Sequence, residues 1–435
     1  MHSVRKTVYY PPETSQRPKV ESLIMHNSFF TAISPQKRRI VLLAIIYAGF
    51  ISLGLPDTIL GVAWDAMRAE LGQPVDRAGL IATLLTICSA ISAFGSGAIL
   101  RLTGTGKLLA ICAFVTGLSL LGYALTPAFW LLLVFAVPLG FGQGAVDTGM
   151  NFYVAKHYTS RDMNWLHCCW GIGATAGPMF ATAVIAAGWS WRGAYAGVSA
   201  VQLTLGALFA LSLPLWRENG GSSGENESVE TIHGKAEWRS FRFLCCPAMM
   251  FFYCAAEVSM GLWSYQFLTT CRGVSGETAG YAVVGYWGML SAGRFLIGFV
   301  ANRLGNSRQI RYSMMLAAAG AVLMLIPGCI PLTIAAVGLV GFAFASFYPA
   351  MMHAAPHRFD DATAAAVIGC QGGGAMLGTA LCPAAFGFLA ARTTFGLLPW
   401  MVIAIAALIL LLEFKVDGVR GGRLADDTGP ASRPE

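Results

Sequence analysis

Charge is what this sequence has least of. Only 12% of its 435 residues are Asp, Glu, Lys or Arg, about half the roughly 25% of soluble domains, and 56% are hydrophobic. That balance excludes an ordinary water-soluble globule. Other absences narrow the class. The G-x-x-x-x-G-K-[ST] phosphate loop is missing, so nothing points to ATP-driven work. The 11 cysteines show no C-x-x-C spacing and read as small packing residues. Cys168 and Cys169 of LHCCWG are adjacent and so point to different faces of a helix, which argues against a tetrahedral metal site. No nucleophile and base pair stands out either, so neither enzyme chemistry nor a cofactor is expected. Residues 1–38 are polar and basic and lack the apolar core and small-residue cleavage site of a signal peptide.

What the chain does have is apolar runs long enough to cross a bilayer, about 20 residues each. The first half reads as spans at 39–64, 77–100, 107–125, 130–155, 164–187 and 193–215, and the second at 243–270, 277–301, 312–328, 331–353, 363–391 and 395–416. Runs of this length without period-two alternation are helical. The expected fold is an all-α membrane protein of twelve transmembrane helices in two six-helix bundles. The predicted divisions are a cytoplasmic tail at 1–38, a bundle at 39–215, a linker at 216–242, a second bundle at 243–416 and a tail at 417–435. The linker is Gly, Ser and acid rich, RENGGSSGENESVE at 217–230. Lys and Arg crowd the tails and alternate loops on one face, among them Lys37, Arg38, Arg39, Lys156, Arg217, Arg303 and Arg308. The positive-inside rule then places both termini in the cytoplasm, most naturally at the plasma (inner) membrane. The net charge of +7 reflects that asymmetry and not a nucleic-acid partner.

The halves repeat. A shift of 201 positions lays GAILRLTGTGK, with Gly97, Gly104 and Lys107, on GFVANRLGNSR, with Gly298, Gly305 and Arg308, and lays Gly173 and Gly177 on Gly374 and Gly378. An even number of spans separates the copies, so they share one orientation.

Polar residues inside the spans are the candidate site. A charge at membrane depth costs at least about 2.5–3.5 kcal/mol and marks function by default. Asp57 stands in GLPDTILGVAW, with Gly61 and Trp64 on its stripe, and Glu257 stands 200 residues later, followed by Gly261 and Trp263. In GFGQGAVDTGMNFYV, residues 140–154, Asp147 and Asn151 share a stripe with Gln143 beside it. His167 and Trp170 open the fifth span, Trp287 lies in the eighth and Gln371 in the eleventh. Acids and amides bind hydroxyls and indole faces cover sugar faces, so a sugar-like solute is the expected substrate. A carboxylate that alternates between wet and dry surroundings takes and releases a proton, which selects Asp57, Asp147 and Glu257 for proton coupling. Arg294 reads as an anchor near the inner end of its span. Trp130, Trp189 and Trp191 read as interfacial.

The chain resembles the major facilitator superfamily in its two sixes of spans, its long inner loop and the G-x-x-x-x-R-x-G-x-x-R loop at Gly298, Arg303, Gly305 and Arg308, taken as the inner gate. The first-half copy carries Leu102 in place of the arginine. The fourth-span pattern G-x-G-x-G-x-x-[DE]-T-x-x-N-x-[FY]-V is similar to that of the fucose permease branch. That resemblance implies sugar binding and proton coupling at Asp57 and Asp147 and a sugar contact at His167. This chain has Gly54, Leu55 and Pro56 where the branch has asparagines, and Glu257 lies outside the branch pattern. The expected activity is proton-coupled symport by alternating access, by a monomer whose partners are the solute, protons and the bilayer. Two rivals remain: a proton-driven exporter of drug-like amphiphiles, and a membrane sensor that binds solute without transporting it.

Overall fold

The computed structural model describes residues 34–74, 77–216 and 239–426. Most of the predicted tail at 1–38, most of the linker and the last residues of the predicted C-terminal tail lie outside them. Among the described residues the regular structure is helical. The first half holds α1 (Pro35–Leu71), α2 (Ala78–Thr103), α3 (Thr105–Leu125), α4 (Phe129–His157), α5 (Ser160–Ala186) and α6 (Trp191–Leu211). The second holds α7 (Phe241–Gln266), α8 (Gly276–Leu304), α9 (Asn306–Leu325), α10 (Ile330–Phe344), α11 (Phe347–Arg358), α12 (Asp361–Arg392) and α13 (Leu398–Asp426).

Among the described residues eleven stretches are long and apolar enough to cross a membrane, α10 and α11 together making one of them. The remaining helix of the expected twelve is α9. Its opening residues, NSRQIR, are polar, and it packs against α10 and α13. Two spans differ from expectation in shape. α1 runs past its predicted end, from an N-cap at Ser34 to a left-handed cap at Gly72 (φ 63°). The tenth span breaks at Ala345 and Ser346, where the Tyr253 hydroxyl donates to the Phe344 carbonyl at 2.8 Å.

Prolines inside the helices set up the contacts that position the site. Proline lacks an N–H and leaves the carbonyl four residues earlier without its helical donor. Pro56 does this to Ser52, and the buried Gln202 of α6 supplies the donor, Nε2 to the Ser52 carbonyl at 3.1 Å. Pro178 of α5 does it to Ala174, and the Thr58 hydroxyl of α1 donates to that carbonyl at 2.8 Å. In a lipid-embedded helix such carbonyls have no water to turn to.

The same pair of helices meets backbone to backbone. A Cβ at Gly173 would lie 1.9 Å from the Ile51 carbonyl oxygen, and one at Gly177 would lie 2.2 Å from that of Leu55. The second half repeats the contact, with Gly374 against the Pro247 carbonyl (2.7 Å) and Gly378 against that of Phe251 (2.1 Å). The repeat seen in sequence is therefore one helix crossing used twice.

At the end of the molecule away from the termini, Glu70 clamps the first half. It accepts from Trp191 Nε1 at 2.6 Å and from Arg192 Nη2 at 2.8 Å, while Arg192 Nη1 donates to the Ala124 and Thr126 carbonyls. Trp191, expected at the membrane interface, is buried in this clamp instead.

Two predictions follow from these contacts. Gln202→Ala leaves the Ser52 carbonyl buried and unpaired and is expected to destabilise the protein by about 1–3 kcal/mol, read as a fall in melting temperature in detergent. Hydrogen bonds from Arg192 hold the Glu70 carboxyl below its ordinary 4.5. A depressed folded-state value stabilises the fold above the unfolded-state value and is lost as pH falls through the folded one. The exposed clamp is worth about 1 kcal/mol or less. Glu70→Gln is expected to melt below the parent at pH 7, with the difference closing as the pH drops beneath 4.5.

Candidate functional site: a polar cavity between the bundles

A cavity of about 420 Å³ lies between the two halves, walled by α1, α2, α4 and α5 on one side and by α7, α8, α11 and α12 on the other. Asp57, next to the Pro56 contact, is exposed to it. Its carboxylate accepts from Gln143 Nε2 of α4 at 2.8 Å and from Trp170 Nε1 of α5 at 3.1 Å. One helical turn after Gln143, Asp147 accepts from Asn151 Nδ2 at 3.1 Å. The Asn151 oxygen in turn meets His167 Nε2 at 3.0 Å. His167 is held edge-on by Phe50 and packs against Tyr348, which enters the cavity from the opposite half just after the break in the tenth span. The donors of this wall are thus turned onto its two acids, and the wall presents acceptors to the cavity.

The opposite wall is built differently. Glu257 of α7 is buried and receives Arg294 Nη2 of α8 at 3.2 Å. Tyr286 donates its hydroxyl to the Glu257 carbonyl at 2.8 Å. Arg294 was expected to anchor at the span end. Instead α8 continues to Leu304, which leaves Arg294 deep in the helix, and Glu257 holds it there.

Of the residues singled out from sequence, Asp57, Gln143, Asp147, His167, Trp170, Glu257 and Trp287 line the cavity. Asn151 stands just behind it, fully buried. The others are elsewhere. Trp64 is buried against Phe129 in an apolar cluster near the far end of α1. Trp263 donates to the Pro383 carbonyl at 2.9 Å and fills the space above Gly387. The space beside Gly261 is taken by Trp287, whose ring a Cβ there would meet. Gln371 is buried and reaches the Met351 carbonyl at 3.4 Å. Sequence reasoning missed Arg294, Tyr348 and the hydroxyls of Thr86, Ser89 and Ser291. Glu257 itself was the signal for Arg294, because an intramembrane acid calls for a partner.

On the side that carries the chain termini, the halves are joined and the cavity is closed. Gln309 Nε2 donates to Ser160 Oγ at 2.8 Å, His353 Nε2 meets the Tyr158 carbonyl at 3.0 Å, and Asn302 accepts from the Arg161 N–H at 2.9 Å. Lys156 and Asp361 pair at 3.0 Å. Gly97 packs on the Ala366 backbone and Gly298 on the Trp165 ring. The four residues expected at the gate divide. Gly298 lies in the seal, and Gly305 (φ 76°) makes the tight turn between α8 and α9. Arg303 and Arg308 are exposed, and no ion-pair partner for either is found among the described residues.

Two helix bundles around a polar cavity sealed at one face define a membrane transporter. The family described as Major Facilitator Superfamily matches residues 46–326 and 245–428, and the chain belongs to it. The chain is 22% identical over 365 residues to a cis,cis-muconate transport protein of Acinetobacter baylyi, covering 78% of this chain and 84% of that protein. It is 28% identical over 345 residues to an uncharacterised transporter of the superfamily from Yersinia pestis, covering 74% and 84%. Among solved structures it resembles the superfamily transporter FucP in the outward conformation, with a TM-score of 0.70 at 13% identity over 87% of this chain and 99% of that one. It also resembles the proton:xylose symporter XylE, with a TM-score of 0.66 at 13% identity over 86% and 94%. At that identity the likeness is one of fold.

Gln143→Leu removes the N–H that Asp57 accepts and keeps the side-chain volume. It is expected to weaken solute binding by about tenfold with little change in the melting temperature of the empty protein, as read by solute-induced thermal shift.

Proposed function

We propose that this transporter carries a small, sugar-like polar solute by proton-coupled symport, alternating the access of its central cavity. One observation carries the reading: two acids of one wall, Asp57 and Asp147, stand on the same cavity and, among the described residues, have no basic partner, only the neutral donors Gln143, Trp170 and Asn151. An acid without a countercharge is the group that a proton neutralises most readily in a dry surrounding. Hydroxyl groups of a solute are natural donors to those same oxygens, so proton and solute meet at one place. Trp170 and Trp287 supply aromatic surface on opposite walls of the cavity. The structures of FucP and XylE, described as sugar and proton symporters, share the fold.

In this reading the seal on the terminal side opens as the far side closes, and protonation biases the exchange because it changes the charge that must cross the dry state. The protein works as a monomer in the plasma (inner) membrane, with both termini in the cytoplasm. The acceptors of the Asp57 wall, matched to solute hydroxyls, favour this over export of greasy amphiphiles.

The test uses purified protein in liposomes with an imposed proton gradient and a panel of radiolabelled sugars and sugar derivatives. Asp57→Asn and Asp147→Asn are each expected to cut gradient-driven accumulation by about 100-fold or more. Asp147→Asn is expected to retain solute exchange without a gradient. Accumulation by both variants at the parent rate, with the parent pH response, overturns the reading.

A further inference from the structure

We infer that the solute is an acid, a polyhydroxylated carboxylate whose carboxyl group binds Arg294. This rests on the proposed solute transport and deepens it by naming the charge of the cargo.

The argument starts from the donors. On the wall of the first bundle the side-chain donors face its own acids: Gln143 and Trp170 onto Asp57, Asn151 onto Asp147. That wall offers acceptors, which hydroxyl groups satisfy. On the other wall the guanidinium of Arg294 lines the cavity, is 7% exposed, and reaches Glu257 through one nitrogen and one oxygen at 3.2 Å. Its Nε is buried with no hydrogen-bond partner among the described residues. A guanidinium carries five N–H donors in a fixed planar fork that matches a carboxylate in bidentate fashion. A buried donor left without a partner is costly, and although Tyr253 stands beside the pair, the contact to Glu257 engages only one nitrogen of the fork and leaves Nε unmatched. A ligand with hydroxyls at one end and a planar anion at the other satisfies both walls at once. A neutral sugar leaves the Arg294 wall as it stands.

Glu257 then has a defined part. It holds Arg294 in place in the empty cavity and competes with the ligand for the same donors. A ligand carboxylate that takes over the fork displaces Glu257, so removal of the Glu257 charge strengthens anion binding, while removal of Arg294 abolishes the preference for an anion.

The experiment uses the full chain in liposomes and in detergent, with matched pairs of probes: glucose against gluconate and glucuronate, galactose against galacturonate. The acid of a pair is expected to bind at least about tenfold tighter than its neutral partner. Glu257→Gln is expected to widen that ratio and Arg294→Gln to erase it. Either single variant leaves a buried charge alone and can fail to fold. The double variant Glu257→Gln with Arg294→Gln removes both charges together, and is expected to fold and to bind acid and neutral probe alike. If the neutral member binds as well as the acid in the parent, or the double variant keeps the preference, the assignment is overturned while sugar transport stands. If neither member of any pair is accumulated under a proton gradient, the transport reading fails and the assignment falls with it.

Discussion

A polar group inside a lipid-embedded helix must find its partner within the protein, and this constraint organises the structure from its helix contacts to its cavity. Pro56 and Pro178 each free a carbonyl, and a side chain from a facing helix answers each one. Those answers fix how α1 lies against α5 and α6. Because Asp57 follows Pro56 directly, the contact that repairs the helix also sets where the acid points. Trp170 sits on α5 close to the Gly173 crossing, so the donor to Asp57 is placed by the same packing. A chain that needed only a straight first helix has no use for a proline at that position.

The two halves share a helix crossing but not a chemistry. Gly173 and Gly177 in the first and Gly374 and Gly378 in the second let helices touch through backbone. On that common frame the first half carries acids held by neutral donors, and the second carries an acid held by an arginine. The difference sets what each wall does. Neutral donors leave a carboxylate free to change charge. An ion pair neutralises the wall until something else competes for the guanidinium.

The spans and the duplication were legible in the sequence because both leave one-dimensional signals, hydropathy over about 20 residues and glycines at a fixed shift. The acids were legible because charge at membrane depth is rare. The neighbours were not. A helical stripe says which residues share a face and nothing of what that face meets. Trp64 shares the stripe of Asp57, yet it packs against Phe129 near the end of a helix that runs on to Leu71. Gly261 has no side chain of its own, and the space beside it is filled by Trp287, a residue of another helix. Arg294 was read as an anchor because the sequence of its own helix does not show that Glu257, on another helix, stands within reach and holds it buried. The break before Tyr348 falls at Ala345 and Ser346, with no glycine to announce it. The loop motif around Gly305 marks turn geometry and carries one bond of the seal at Asn302, while Gln309 and His353 supply others from outside it.

The make-up of that seal bears on how such a protein works. Among the described residues it includes single hydrogen bonds, each worth about 0.5–1.5 kcal/mol net, and a partly exposed ion pair, Lys156 with Asp361, worth about 1 kcal/mol or less. A handful of such contacts amounts to a few kcal/mol. Inverting a two-state preference from 1:99 to 99:1 takes about 5.5 kcal/mol of differential binding. In the proposed symport, a proton on one cavity carboxylate and a few solute contacts would supply energy on that scale, since each unit of pKa difference between two states is worth about 1.4 kcal/mol. A seal of buried ion pairs, such as Arg358 with Glu413 inside the second bundle, costs far more to break. The stronger pair lies where the bundle stays whole, and the weaker contacts lie where the halves must part.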